Sequence, residues 1–244
     1  MIHPLRRRAA AAGAGLALLL LAVTGCTEAE PDAPTPTATP TALPAVVPSG
    51  DGVLRIGTIF PMTGDFAAGG AAQVAGTQLA AREIAEQGGV PGHTVELIHR
   101  NVGADPAVAV ADLLARGVDV VLWDAATTPS AELAASVTGA GPAFLALGDF
   151  ANGGTPLDTD ADFATRLRTA DPALAQTAGG AEAYDGVIVT ALAATAVNDD
   201  AASSLEIGWD AVSQGTGCAS WGECTLALTE NQSIDYVGVT GRRS

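Results

Sequence analysis

The sequence predicts an α/β fold built as a single doubly wound parallel sheet. Three observations carry that expectation. Apolar strand-like runs and helical periodicities alternate regularly from Val53 to Leu147. The connections between them are short, which implies right-handed crossovers and a parallel sheet covered on both faces. The stretch that holds them, 52–244, has 193 residues, enough for one well-buried domain.

Taken in order, "VLRIGTI" (53–59) is a buried strand, followed by a Gly-rich loop and by "AAQVAGTQLAAREIAEQ" (71–87), whose apolar positions recur at helical spacing. "GGVPGH" (88–93) stops that helix and turns the chain into a second strand, "TVELI" (94–98). Asp105 is a natural N-cap, with Pro106 at the first helical position of a helix running to Arg116. "VDVVLW" (118–123) and "AFLAL" (143–147) are further buried strands, separated by a helix expected from Pro129 to about Gly139 with Thr128 as its N-cap. In such a sheet a ligand lies at the carboxyl ends of the strands, near the point where the strand order reverses.

Composition removes several function classes. All 11 cations are Arg, so a P-loop lysine, a Schiff base and a pyridoxal site are excluded. A net charge of -16 argues against nucleic acid, whose affinity comes mainly from cations that displace counterions. No cofactor or metal set is expected: Cys218 and Cys224 lie six apart rather than in C-x-x-C spacing, and no further ligands accompany them. His93 and His99 flank one strand without a carboxylate pattern and are expected at the surface. Trp123 follows a strand as core or pocket wall, and Trp209 and Trp221 are expected to pack near residues 218–224.

The N-terminus divides into two segments. Arg6, Arg7 and Arg8 precede an uncharged run from Ala9 to Val23, too short for a permanent membrane span. "VTGC" (23–26) resembles the lipobox of bacterial lipoproteins, which implies a signal peptide over 1–25 and lipidation of Cys26. Its removal would change the charge to 8 - 27 = -19. Residues 26–51 hold six of the 14 prolines among Thr, Ala and acids, and are expected to be a disordered tether.

Three loops leave the strand ends: Pro61 to Gly70, Asp124 to Thr128, and Gly148 to Gly154. The first does not fit G-x-G-x-x-G and lacks the lysine of a Walker loop, so it is left as a flexible backbone cradle for a small anionic group. In the second, Thr128 is expected to cap the following helix, which leaves Thr127 as the better ligand-binding hydroxyl.

"LRIGTIFPMTGDFAAGG", "AGTQLAAREIAEQGGVPGHTVELI", "ADPAVAVADLLARGVDVVLW", "FATRLRTADPALAQ", "AEAYDGVIVTALAAT" and "IDYVGVTG", in that order, resemble the N-terminal lobe of type 1 periplasmic solute-binding proteins of the leucine/isoleucine/valine-binding kind. The resemblance implies an extracytoplasmic binding protein, not an enzyme, that delivers an amino acid or small amide to an ABC permease. It implies ligand-binding residues at Gly69, Gly70, Thr127, Thr128, Gly148, Asp149 and Phe150. Two positions depart from the pattern: Gly69 has no ring where an aromatic often covers the ligand, and Phe150 has no hydroxyl.

A larger departure lies between Gln176 and Ala181, where five residues replace the whole second lobe. The expectation is lobe one alone, formed from 52–176 and 181–241, with lobe two missing and a second chain as a further partner that would supply it. In an oxidising compartment, with Cys26 assigned to lipid, Cys218 and Cys224 are expected to form a disulfide. The functional expectation is a truncated, membrane-anchored component of a branched-chain amino acid importer. The alternative is a ligand sensor or decayed remnant that folds without delivering a substrate.

Overall fold

The computed structural model describes residues 49–150, 156–157 and 159–242, all within one compact unit. The signal-peptide and lipidation expectations, nearly all of the tether, and Ala151 to Gly154 of the third loop lie outside the described residues. A four-stranded parallel sheet runs in the order β2-β1-β3-β4, with β1 Val53–Phe60, β2 Thr94–Asn101, β3 Val120–Trp123 and β4 Ala143–Ala146. The reversal of strand order falls between β1 and β3.

Each crossover is a helix: α1 Ala67–Glu86, α2 Pro106–Ala115 and α3 Ala131–Gly139. The alternation of side chains along a strand sends residues to opposite faces. Leu54, Ile56, Val120, Leu122, Ala143 and Leu145 pack with α1 residues such as Leu79 and Ile84 in one core. Ile59, Val121 and Trp123 meet Val110 and Leu113 of α2 and Val137 of α3 in the other. The sheet is therefore covered on both faces, as the sequence predicts.

Residues after β4 complete the first core. Helix α4 (Ala161–Ala170) is followed within ten residues by α5 (Gly180–Val197), so no second lobe intervenes between them. Every residue from Gly180 to Ala194 is buried. A helix apolar all round is one that has neighbours all round, and that is why "AEAYDGVIVTALAA" lacks an amphipathic period. Helix α5 lies close against α1: a Cβ on Gly76 would sit 2.1 Å from the Gly180 carbonyl oxygen, so Gly76 cannot be enlarged. Two buried carboxylates ride on α5. Asp185 accepts hydrogen bonds from Tyr236 Oη, Val239 N, Thr240 N and Thr240 Oγ1, which ties the chain after β6 (Ile234–Gly238) to the core. Burial raises its pKa above the ordinary carboxylate range, against those hydrogen bonds.

A smaller three-stranded sheet, β5-β6-β7, joins β5 (Thr216–Cys218) in parallel and β7 (Gly241–Arg242) in antiparallel to β6. Helix α7 (Trp221–Thr229) packs on β6 and α5, and helix α6 (Ala202–Ala211) packs on α5 and β4. Cys218 and Cys224 form a disulfide, with Trp221 between them in sequence and 1% exposed.

Several element boundaries differ from expectation. Helix α1 begins at Ala67 after a 3-10 turn over Gly64–Phe66, so Gly69 and Gly70 are helical residues and not part of a flexible loop. Helix α3 begins at Ala131, and its N-cap is Ser130, whose hydroxyl accepts from Leu133 N; Thr128 is not the cap. A cap side chain must accept from a backbone N–H two or three residues on, and Ser130 does so while keeping extended backbone, so the helix starts after it. The His expectation is also corrected. His93 has a side chain only 9% exposed, and His99 shares a 2.8 Å hydrogen bond with Thr58 Oγ1, where burial and then Arg100 lower its pKa.

Candidate functional site

The carboxyl ends of β1, β3 and β4 present three loops around the point of strand reversal. β1 delivers Pro61 to Phe66. Asn101, the last residue of β2, fastens that loop: its Oδ1 accepts from Met62 N at 2.8 Å and its Nδ2 donates to Thr63 Oγ1 at 2.9 Å. Gly70 follows one turn into α1. A Cβ there would lie 2.1 Å from the Pro61 carbonyl oxygen, so the glycine lets α1 start directly against the strand exit.

β3 delivers Asp124 to Ser130, and its geometry is set by a buried network. Gln73, on the second turn of α1 and 1% exposed, donates from Nε2 to Asp124 Oδ1 at 2.6 Å. Its Oε1 accepts from Ala125 N at 2.9 Å. The other oxygen of Asp124 accepts from Thr127 Oγ1 at 2.8 Å. Trp123 Nε1 then donates to Thr127 at both the carbonyl oxygen, 3.0 Å, and Oγ1, 3.1 Å. Asp124 thus reads two donors and is 2% exposed, while Thr127 itself is exposed.

β4 leads straight into a 3-10 turn over Leu147–Phe150. Gly148 sits 3.6 Å, by its absent Cβ, from the Ala125 carbonyl oxygen, so the second and third loops touch. Asp149 is exposed, whereas Phe150 is 7% exposed and belongs to the core that includes Leu147 and Phe163. The predicted residues therefore fall into two groups. Thr127, Thr128, Gly148 and Asp149 lie on the two adjoining loops after β3 and β4. Gly69 and Gly70 lie in the first turn of α1, and Phe150 faces inward.

Sequence reasoning missed Gln73, Asp124 and Asn101, the side chains that hold the loops. Gln73 was legible as a polar residue at a helical position otherwise flanked by Ala and Val, and Asp124 as an acid at the end of an all-apolar strand.

The described parts of the three loops contain no cation and three acids, Asp65, Asp124 and Asp149. What they offer a ligand is hydroxyl and backbone hydrogen bonding at the rim. Beside them, a groove of about 320 Å³ is lined by Met62, Ala71, Val74, Gln78, Ala170 and Asp171, a mixed polar and apolar wall next to the first loop. Among the described residues, no group of three or more His, Cys, Asp or Glu side chains is placed to hold a metal ion.

The opposite, amino end of the sheet has a different polar cluster. Asp199 accepts from Ser49 N, Gly50 N and Ser204 Oγ. Burial works against its ionised form, yet the Ser204 hydroxyl and the backbone N–H groups outweigh it and hold the pKa low. Asp200 is fully buried, neither oxygen takes a hydrogen bond from the described residues, and His93 Nδ1 lies 3.6 Å away. Asp119, which accepts from Arg55 N at 2.7 Å, is pushed up to about 6, first by burial and further by Asp200.

A family model described as periplasmic binding protein matches residues 53–183, which takes in the sheet, all three loops and the start of α5. The chain belongs to the periplasmic binding protein family. Its similar solved structures include the branched-chain amino acid transporter substrate-binding protein LivJ from Streptococcus pneumoniae, in complex with isoleucine: 28% identity, 39% of this chain, 28% of that one, TM-score 0.34. A solute-binding protein of an ABC transporter from R. palustris, in complex with 4-hydroxybenzoate, has 25% identity over 39% of this chain and 27% of that one, TM-score 0.31. A fatty acid ABC transporter substrate-binding protein from Thermomonospora curvata has 14% identity over 72% of this chain and 84% of that one, TM-score 0.42. The match thus spans 28% of the length of the Streptococcus protein. No curated protein matches the chain. Among the described residues of this periplasmic binding protein, no helix is long and apolar enough to cross a membrane.

Proposed function

We propose that the chain is the solute-binding component of an ABC importer for branched-chain amino acids or related small amides, reduced to one lobe and held at the outer face of a bacterial membrane by a lipid on Cys26. In this reading 1–25 is the signal peptide, 26–51 the tether, and 52–244 the binding lobe. The ligand sits on the loops after β1, β3 and β4, against Thr127, Thr128, Gly148 and Asp149, with the first turn of α1, including Gly69 and Gly70, at one side. Phe150 contributes from below as packing rather than as a hydrogen-bonding group. The observation that supports this most is the set of adjoining loops at the strand-order reversal in a member of this family.

One lobe leaves half of a small ligand in water. If an enclosed site binds at about 1 μM, or about -8.2 kcal/mol, half of that free energy corresponds to a Kd near 1 mM. The entropy of immobilising the ligand does not halve with the contacts, which weakens binding further. Tight capture then requires a second chain over the crevice. Calorimetric titration of isoleucine, valine and acetamide tests the reading: millimolar binding that Thr127→Ala abolishes is expected, and no binding of any of them at 20 mM, a concentration on the order of ten times the expected Kd, would overturn the ligand class. For the anchor, Cys26→Ala should release the protein from membranes, and equal membrane partitioning of the two forms would overturn it.

A further inference from the structure

The buried network behind the second loop carries an inference about how the crevice is kept in shape. Thr127 is exposed, and an exposed loop hydroxyl ordinarily samples several rotamers. Here it is held from two sides, by Asp124 Oδ2 at 2.8 Å and Trp123 Nε1 at 3.1 Å. Asp124 is itself held by a single side chain from another element, Gln73, through a 2.6 Å charge-assisted hydrogen bond. Gln73 also takes Ala125 N, so its amide uses donor and acceptor together to fix both the carboxylate and the backbone of the loop. An apolar residue of equal volume would leave a buried carboxylate oxygen and a buried N–H unpaired.

Gln73 is in turn confined by α5. Gly179, the N-cap of α5 at φ 85°, lies so close that a Cβ would fall 2.9 Å from Gln73 Cγ. The amide therefore stands between the start of α5 at Gly179 and the exit of β3 at Asp124, two points 55 residues apart in the chain. The family resemblance says nothing about such a residue, and its neighbours in α1, Ala72 and Val74, are ordinary packing positions.

We propose that Gln73 is the positioning residue of the crevice: through Asp124 it fixes the orientation of Thr127, and the Gly179 turn fixes Gln73. This rests on the reading of the crevice as the ligand site, but the network can be tested without any ligand. The Trp123 indole N–H reports it directly, because its two acceptors are both on Thr127.

The experiment is ¹H–¹⁵N spectroscopy of the labelled protein, with the indole signals of Trp123, Trp209 and Trp221 assigned by single Trp→Phe changes. Gln73→Met keeps the volume and removes both hydrogen bonds. It should shift the Trp123 signal and speed its solvent exchange about tenfold, while the other two signals stay in place. Gly179→Ala should move the same signal by displacing Gln73, and Thr127→Val should move it without adding to the effect of Gln73→Met. Gln73→Glu supplies a second judge where Gln73→Met fails to fold. At low pH the Glu–Asp pair can share a proton and keep the Trp123 signal near its parent position, whereas at neutral pH two facing carboxylates repel and displace it. A Trp123 signal unmoved in folded Gln73→Met, or a Gln73→Glu protein whose Trp123 signal ignores pH, would overturn the proposal. Isoleucine titration completes the test: Gln73→Met should weaken binding about tenfold, the 1.4 kcal/mol expected for one lost hydrogen-bonded position. If isoleucine does not bind the parent either, the ligand class fails while the indole signals still decide the role of Gln73.

Discussion

Two buried carboxyls, Asp124 at the carboxyl end of the parallel sheet and Asp200 at the amino end, are hydrogen-bonded to opposite degrees. At the carboxyl end, Gln73, Asp124, Thr127 and Trp123 satisfy one another, so that a carboxylate 2% exposed has a donor on each oxygen. At the amino end, Asp200 is as deeply buried, yet neither of its oxygens is hydrogen-bonded by the described residues, and Asp119 nearby is pushed up to about 6, first by its own burial and then by Asp200. A buried ion is tolerable when hydrogen bonds replace its lost hydration and expensive when they do not. The carboxyl end is thus built to hold one arrangement of its loops. The amino end carries electrostatic tension that a change of protonation can relieve.

The most severe way to break the contrast is Asp124→Ala. It removes the acceptor shared by two donors in a dry site, and the loss should be about 3 kcal/mol of folding stability in urea denaturation. A loss below about 1 kcal/mol would mean that the network is not a unit.

That network shows where the sequence was legible and where it was not. The parallel sheet and its helical crossovers followed from the apolar runs at 53–59, 94–98, 118–123 and 143–147, because burial on both faces leaves a local pattern; the order β2-β1-β3-β4 comes from the structure. Asp105 and Pro106 likewise announced α2, and the side chain of Asp105 does accept from Ala107 N. The partnership of Gln73 with Asp124 joins residues 51 apart, and nothing local encodes it. The start of α1 was placed too late for a related reason. Gly69 and Gly70 look like loop residues until the nearness of Pro61 to Gly70 shows that a close approach within the helix requires glycine. Phe150, expected at the ligand, turns inward because the 3-10 turn after β4 directs its ring to the core beside Leu147.

A control region lies away from the carboxyl end of the sheet, beside the turn between α1 and β2. Reducing the Cys218–Cys224 disulfide should lower stability by about 2 kcal/mol, the chain-entropy value for so short a loop, and leave the Trp123 indole signal unchanged. A shift of Trp123 on reduction would show that the periphery and the crevice are not independent.

At the amino end the expected effect is smaller and has a definite sign. The carboxyl of Asp119 moves from an ordinary 3.8 to about 6 on folding, so the folded protein holds a proton that the unfolded chain has released. The stability this contributes is complete below about pH 4 and is lost as pH rises to about 6. With the partial exposure of Asp119 allowed for, the loss is about 1 kcal/mol. The raised carboxyls of Glu182 and Asp185 act in the same direction. Asp119→Asn should flatten the profile of thermal midpoint against pH between 4 and 6, and an unchanged slope would remove Asp119 as its source.

Smallest of all should be Asp200→Asn, which replaces a buried carboxyl that no described residue hydrogen-bonds with a neutral amide of equal shape. It should leave stability unchanged or raise it by about 0.5 kcal/mol, the reverse of Asp124→Ala in sign or size. A loss near that of Asp124→Ala would abolish the distinction between the two ends.

In the proposed function one lobe, with its crevice preset at the carboxyl end of the sheet, holds a small solute loosely. The most direct measurement is titration of isoleucine into the purified protein by ¹H–¹⁵N spectroscopy, with its monomeric mass verified by light scattering. Saturable shifts are expected at the Trp123 indole and at the amides of residues 124–130 and 147–150, with a Kd of about 1 mM or weaker. Micromolar binding by a confirmed monomer, or saturable shifts confined to the amino end around Asp119 and Asp200, would contradict it.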